Sequence, residues 1–162
     1  MNTRDDLSRS IELLTQWLVG AILVGFRFGS NFTLFFDRKT EGFFEGKNLP
    51  WQVRLDLLED WWLGSEQEWA KKVSENGSGV EPDEPVKAFE LAKLRWTEGA
   101  VVESITADQN KLSLFLENGT VLHALLTEEE EFSYSISENS ENSTESDWSV
   151  TLDGEGFHLK TL

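Results

Sequence analysis

The sequence of 162 residues contains no cysteine and only two histidines. The absence of cysteine excludes disulfide bonds, thiolate nucleophiles and zinc sites with cysteine ligands. His123 and His158 have no partners at the spacing of a catalytic triad or a zinc site, so both are predicted to be structural or solvent-exposed. The chain also lacks a phosphate-binding loop, a dinucleotide-binding fingerprint and the G-x-S-x-G and H-E-x-x-H motifs. We therefore predict no catalytic residue, no metal site and no cofactor, and an enzyme is the least favoured class.

Basic residues and long hydrophobic runs are also scarce. Fourteen lysines and arginines stand against thirty aspartates and glutamates, which gives a net charge of −16. Binding to a nucleic-acid backbone or an anionic membrane needs a cationic face, so neither is expected. The longest uncharged stretch, Leu13 to Phe26, is too short to span a bilayer as a helix. Asp5 and Asp6 occupy the place where a secretory signal would be basic, so the sequence predicts a cytoplasmic protein.

Three blocks of the sequence occur twice and in the same order. The first pair shares the pattern W-x-x-G-A-[IV]-[LV]-x-x-[FI]. The matched pairs are Trp17–Phe26 with Trp96–Ile105, Phe32–Asp37 with Leu112–Glu117, and Trp51–Asp56 with Trp148–Asp153. Two copies are too few for a solenoid. The pattern predicts one domain over 1–162, in which two similar halves, 1–64 and 85–162, close over a shared core and 65–84 form a connecting helix and loop.

Local patterns predict the elements of these halves. Leucine and isoleucine recur at helical spacing from Arg4 to Leu18, a capping-box pattern at Ser65–Glu68 begins a second helix, and Pro85 begins a third. Alternating apolar residues predict strands elsewhere, with a hairpin turn at Asn118-Gly119 and an edge strand around Tyr134. The expected fold class is α+β, with a predominantly antiparallel sheet from two β-rich halves that each follow a helix.

The seven tryptophans divide into two groups. Trp17, Trp96, Trp51 and Trp148 match across the duplication and are predicted to lie in the core or to pack on strands. Trp61, Trp62 and Trp69 have no such counterpart. Because adjacent residues of a strand point to opposite faces, either Trp61 or Trp62 should be partly exposed unless the helix that begins near Ser65 covers it. The alternative is that these three tryptophans anchor a protein interface, where tryptophan is enriched.

Residues 127–147 form an acidic tract without a single lysine or arginine. One interpretation is a solvated loop, and the other is an acidic face that attracts a basic partner. Its acidic residues, together with Trp61, Trp62 and Trp69, are the candidate partner-binding residues. The acidic residues of the tract are Glu128, Glu129, Glu130, Glu131, Glu138, Glu141, Glu145 and Asp147.

Several segments together resemble small bacterial proteins of uncharacterised function, some of which are encoded beside polymorphic toxins as immunity proteins. The segments that carry this resemblance are Pro50-Trp51-Gln-Val-Arg, Trp-Leu-Gly64-Ser65, Leu112-Ser-Leu-Phe-Leu-Glu-Asn-Gly and Asp147-Trp148-Ser-Val. The acidic insert before Trp148 departs from this pattern, and the resemblance supplies no catalytic residue. It implies a non-catalytic acidic binding protein that neutralises a basic toxin, for example a nuclease. The alternatives are a regulatory or scaffolding domain and a DNA-mimic inhibitor of a nucleic-acid-binding protein.

Overall fold

The computed structural model describes residues 3–28, 32–44, 46–57, 60–76, 84–96, 100–108, 111–125, 134–138, 148–153 and 156–161. Within these residues the helices are α1 (Thr3–Leu18), α2 (Glu66–Asn76) and α3 (Glu84–Arg95). The strands are β1 (Ile22–Phe28), β2 (Phe32–Asp37), β3 (Phe43–Phe44), β4 (Lys47–Asn48), β5 (Gln52–Leu57), β6 (Trp61–Leu63), β7 (Val102–Ala107), β8 (Lys111–Leu116), β9 (Val121–Leu125), β10 (Tyr134–Glu138), β11 (Trp148–Asp153) and β12 (Gly156–Thr161).

The described strands form two larger antiparallel sheets and one short hairpin. The six-stranded sheet has the order β1-β2-β5-β10-β11-β12, and the four-stranded sheet has the order β6-β9-β8-β7. Strands β3 and β4 form the hairpin. Helix α1 precedes β1 and helix α3 precedes β7, as the duplication predicted. The fold is therefore α+β with antiparallel sheets, which confirms the predicted class.

The first two strands of each half pair in the same way. In β1 and β2, Leu23 lies opposite Phe36 and Phe26 lies opposite Leu34, with a bulge between Leu23 and Gly25. The matched positions of β7 and β8 pair identically: Val102 lies opposite Leu116 and Ile105 lies opposite Leu114, with a bulge between Val102 and Ser104. A bulge inserts one unpaired residue and bends its strand, so both hairpins bend at the same place.

The two hairpins meet through a symmetric set of hydrogen bonds. Ile22 and Val101, which occupy matched positions, form an isolated antiparallel bridge. The amide of Val102 donates to the carbonyl of Ala21 at 2.9 Å, and the matched amide of Leu23 donates to the carbonyl of Ala100 at 3.1 Å. These reciprocal bonds place a local pseudo-twofold axis between β1 and β7, where the two sheets join.

The third pair of matched blocks does not occupy equivalent places. Strand β5 pairs with β2, as a member of the first hairpin's sheet. Strand β11 pairs with β10 and β12 in that same six-stranded sheet and not with β8. The prediction of an edge strand around Tyr134 is also wrong, because β10 lies between β5 and β11. The pairing of β10 with β5, a strand of the other half, brings β10 and β11 into this sheet, and no local pattern records that pairing.

One hydrophobic cluster extends through the described parts of both sheets and the helices. Helix α1 packs against β7 and β12, α3 packs against β1, and α2 packs against β6 and α3. Trp17 is fully buried in this cluster, as predicted. The predictions for Trp96 and Trp51 are wrong, because these side chains are 87% and 57% exposed. In the described part of the chain, no helix is both long and apolar enough to cross a membrane.

Candidate binding groove

A short strand and the helix that follows it build the most distinctive surface feature. Strand β6 pairs antiparallel with β9, and Gly64 then turns the chain with a positive φ of 78°, a conformation that glycine adopts without a steric penalty. Ser65 caps α2 through its hydroxyl, which accepts from the amide of Glu68 at 3.2 Å, while the Glu68 carboxylate accepts from the Ser65 hydroxyl at 2.9 Å. The predicted capping box therefore forms, and it holds α2 beside β6.

A groove of about 510 Å³ opens between β6 and α2, within the range of small-ligand sites. We call it the tryptophan groove. Two of its lining residues are acidic and none is basic. The full set of lining residues is Asp60, Trp61, Trp62, Glu66, Trp69, Ala70, Val73, Ser74 and Leu125. The structure thus brings the three unmatched tryptophans of the sequence to one site.

Trp61 and Trp69 form the buried part of the groove. They are 2% and 8% exposed, and their ring centroids lie 6.5 Å apart. Phe32 meets Trp61 edge-on with centroids 4.9 Å apart. The ammonium of Lys87, from α3, lies 5.3 Å from the centroid of the Trp61 ring, within the range of a cation–π contact. These neighbours hold the Trp61 ring in place.

Trp62, the next residue of the edge strand β6, also lines the groove and is only partly buried. Its ring centroid is 5.4 Å from that of His123, the residue opposite it on β9. The Nδ1 atom of His123 is 2.8 Å from the hydroxyl of Ser113 on β8. Burial, and secondarily the charge of Lys111, lowers the pKa of His123, because both disfavour the imidazolium.

The pair of Ser113 and His123 has the spacing of a nucleophile and its base. Ser113, however, is only 2% exposed, so a substrate cannot reach its hydroxyl without a rearrangement of the sheet. The contact therefore serves to orient the half-buried His123 ring. Within the described ranges, no group of three or more potential ligands could hold a metal ion.

The acidic residues of the predicted site fall almost entirely outside the described residues. Those outside the described residues are Glu128, Glu129, Glu130, Glu131, Glu141, Glu145 and Asp147. Glu138 is the last residue of β10, where it pairs with Val53. Two described neighbours bracket the segment that contains Glu128–Glu131: Leu125 lines the groove, and Tyr134 pairs with Leu57.

Two carboxylates of the groove, Asp60 and Glu66, were not among the predicted site residues. Glu66, Trp69, Ala70 and Val73 recur at helical spacing, and this pattern could have placed Glu66 on the same face of α2 as Trp69. No comparable signal existed for Asp60, whose position depends on the pairing of β6 with β9. There, the carbonyl of Asp60 accepts from the amide of Leu125 at 2.9 Å.

Comparison with known proteins returns no matching family model, no matching curated protein and no matching solved structure. Any function must therefore be argued from the groove and the charge of the chain.

Proposed function

We propose that the protein is a non-catalytic acidic binding protein that acts in the cytoplasm and neutralises a basic toxin as its immunity protein. The observation that carries this proposal is the convergence of Trp61, Trp62 and Trp69 on one groove with two carboxylates and no basic residue. Tryptophans dominate the energetic centres of protein interfaces, because a large ring loses little conformational entropy when it is buried. Carboxylates beside them favour a cationic partner.

The distribution of charge along the chain supports a basic partner. Fourteen of the thirty acidic residues follow Trp96, but only Lys111 and Lys160 of the fourteen basic residues do. The acidic run Glu128–Glu131 lies in the segment between Leu125, a residue of the groove, and Tyr134. An excess of charge of one sign on a protein raises the rate at which an oppositely charged protein associates with it.

A toxin that acts on nucleic acid is a suitable basic partner. Its active site must attract a polyanion, and it therefore presents arginine and lysine side chains. Carboxylates bind such side chains through short charge-assisted hydrogen bonds. An inhibitor rich in carboxylates can thus occupy the same cationic surface that the substrate would use.

The test uses the protein encoded by the gene next to the one for this chain. We expect that this neighbour arrests growth when it is expressed alone, that co-expression of the chain restores growth, and that the two purified proteins form a complex. The complex should form more slowly as salt is added, since screening weakens steering. A neighbour that is harmless, or a toxin whose activity the chain leaves unchanged, would contradict the proposal and favour a regulatory or scaffolding domain.

A further inference from the structure

We infer that the tryptophan groove accepts one arginine side chain of the partner, with the guanidinium beside the indole rings and the carboxylates of Asp60 and Glu66. This inference rests on the proposed function, because it names the chemical group that the groove recognises. The face of an indole ring carries negative electrostatic potential, and the planar guanidinium both stacks on it and binds carboxylates through two parallel hydrogen bonds.

The charges of the groove are complementary to a cation. Asp60 stands at the start of β6 and Glu66 at the start of α2, and both are exposed. Among the described residues neither carboxylate has an ion-pair partner, and none of the lining residues is basic. A bound guanidinium would therefore displace no ion pair that the described residues form with these carboxylates. Its desolvation would be offset by two carboxylates and an aromatic wall.

The protein already uses the same chemistry on one side of the groove. Lys87 is nearly buried, and its ammonium lies 5.6 Å and 5.3 Å from the ring centroids of Phe32 and Trp61, which are themselves 4.9 Å apart. Burial of a lysine is costly without such compensation. The aromatic residues next to the groove thus form part of the environment of a nearly buried cation.

The other surface features suit a cation less well. A neighbouring pocket of about 390 Å³ includes Lys72 and Lys93, and Lys72 already pairs with Glu90 at 2.9 Å. The exposed ring of Trp96 already has the guanidinium of Arg95 at 5.8 Å from its centroid. In both places the cation is among the lining residues or over the exposed ring itself, whereas Lys87 is not among the residues that line the tryptophan groove.

The experiment uses N-acetyl-arginine amide as the probe and N-acetyl-citrulline amide, its uncharged analogue of similar shape, as the control. The full chain carries seven tryptophans, whose indole N–H signals can be assigned in ¹⁵N-resolved NMR spectra by single substitutions to phenylalanine. We expect the arginine probe at low salt to shift the signals of Trp62 and Trp69 and to leave those of Trp51 and Trp96 nearly unchanged. The citrulline probe should produce little change in any of them.

A pair of variants with equal changes in charge tests the carboxylates. The variant Asp60→Asn/Glu66→Gln should weaken binding of the arginine probe about fivefold, as expected for two lost surface ion pairs. The control Glu103→Gln/Glu117→Gln, which removes two exposed acids at the β7 side of the same sheet, should change it little. Circular dichroism verifies that both variants fold.

Three results would overturn the inference: no shift with arginine, equal shifts with citrulline, or equal weakening in the control variant. These results are separable from a failure of the proposed function. If the neighbouring toxin is neutralised while arginine leaves the groove signals unchanged, the function stands and the groove assignment is wrong. If arginine binds the groove but no toxin is neutralised, the recognition chemistry stands and the immunity function is wrong.

Discussion

His123 couples the outer face of the four-stranded sheet to pH. Its ring packs beside Trp62 and contacts the hydroxyl of Ser113, while Lys111 lies on the neighbouring strand. Burial and the charge of Lys111 lower its pKa below the ordinary value of about 6.5. In the pH range between the lowered pKa and 6.5, the unfolded chain binds more protons than the folded one. Acid therefore favours unfolding through this residue.

We predict that this histidine's contribution to stability is complete above about pH 6.5 and is lost as the pH falls through that value toward the folded pKa. Urea denaturation of the wild type and of His123→Asn at pH 7.5 and pH 5.5 measures the effect. The variant should lose less stability on acidification, because its amide can replace Nδ1 as the partner of Ser113 but does not titrate. An equal loss of stability on acidification in the wild type and in His123→Asn would contradict the assignment.

A buried hydrogen bond between Thr33 and Asp56 joins β2 and β5. The buried hydroxyl of Thr33 donates to a carboxylate oxygen of Asp56 at 2.6 Å, and Arg54 binds the other oxygen at 2.8 Å. We predict that Thr33→Val, which retains the shape but removes the donor, lowers the free energy of unfolding by about 2 kcal/mol. Thr33→Ser retains the hydroxyl and should cost less. Equal losses in the two variants would indicate that packing, not the hydrogen bond, stabilises this site.

At the scale of elements, the junction of β6 and α2 determines the shape of the groove. The amide of Gly64 donates to the carbonyl of Val121 at 2.8 Å while φ is positive, so the chain turns without losing its contact with β9. Ser65 and Glu68 then satisfy the first turn of α2. Because the turn and the cap are adjacent, the axis of α2 and hence the position of Trp69 depend on both.

We predict that Gly64→Ala lowers the free energy of unfolding by about 1 kcal/mol, because an L-residue at positive φ is strained. The nearest atom to the added Cβ would be a carboxylate oxygen of Glu68 at 3.5 Å, so no clash adds to this cost. Gly25→Ala is the control. Its Cβ would meet Phe35 at 3.9 Å in a strand, and this substitution should be neutral or slightly stabilising. Denaturant midpoints of both variants test the comparison.

The matched hairpins show how much of an element follows from local sequence. Their strands occupy matched blocks of the sequence, and both hairpins pair with the same register and the same bulge. Glycine occupies the position after the bulge in β1, but serine occupies it in β7. The common geometry therefore does not depend on glycine there. It follows from the apolar residues on either side of the bulge, which must all face the shared core.

At the scale of the whole molecule, the net charge of −16 makes association with a partner sensitive to salt. We predict that replacement of Glu128, Glu129, Glu130 and Glu131 by glutamine slows association with a basic partner several-fold at low salt and flattens its dependence on salt. The stability of the fold should be unchanged or slightly higher, because repulsion between like charges decreases.

Stopped-flow measurements at several ionic strengths test this prediction. A variant with glutamine at Glu12, Glu41, Glu103 and Glu117, all exposed, loses the same four charges elsewhere and is the control. If both variants slow association equally, only the total charge matters. If neither does, the tract is a solvated loop and the tryptophan groove alone would have to supply the affinity.

The sequence by itself determined the helices, the hairpins and the acidic character of this protein. Caps, turn residues and apolar periodicity act within a few positions, so the bounds of α2 and the hairpin turn at Asn118-Gly119 could be derived locally. The sequence also sets Trp61, Trp62 and Trp69 apart, because these three tryptophans have no matched counterparts.

Only the tertiary structure decided which tryptophans are buried and which side chains share the groove. Trp17 and Trp96 stand in the same local pattern, yet one is buried and the other is 87% exposed. Helix α1 lies against β7 and β12, whereas Trp96 follows the last residue of α3. In the same way, β6 and β9 bring Asp60 beside Leu125 across a long separation in sequence. Burial depends on such distant pairings, and a local pattern contains no information about them.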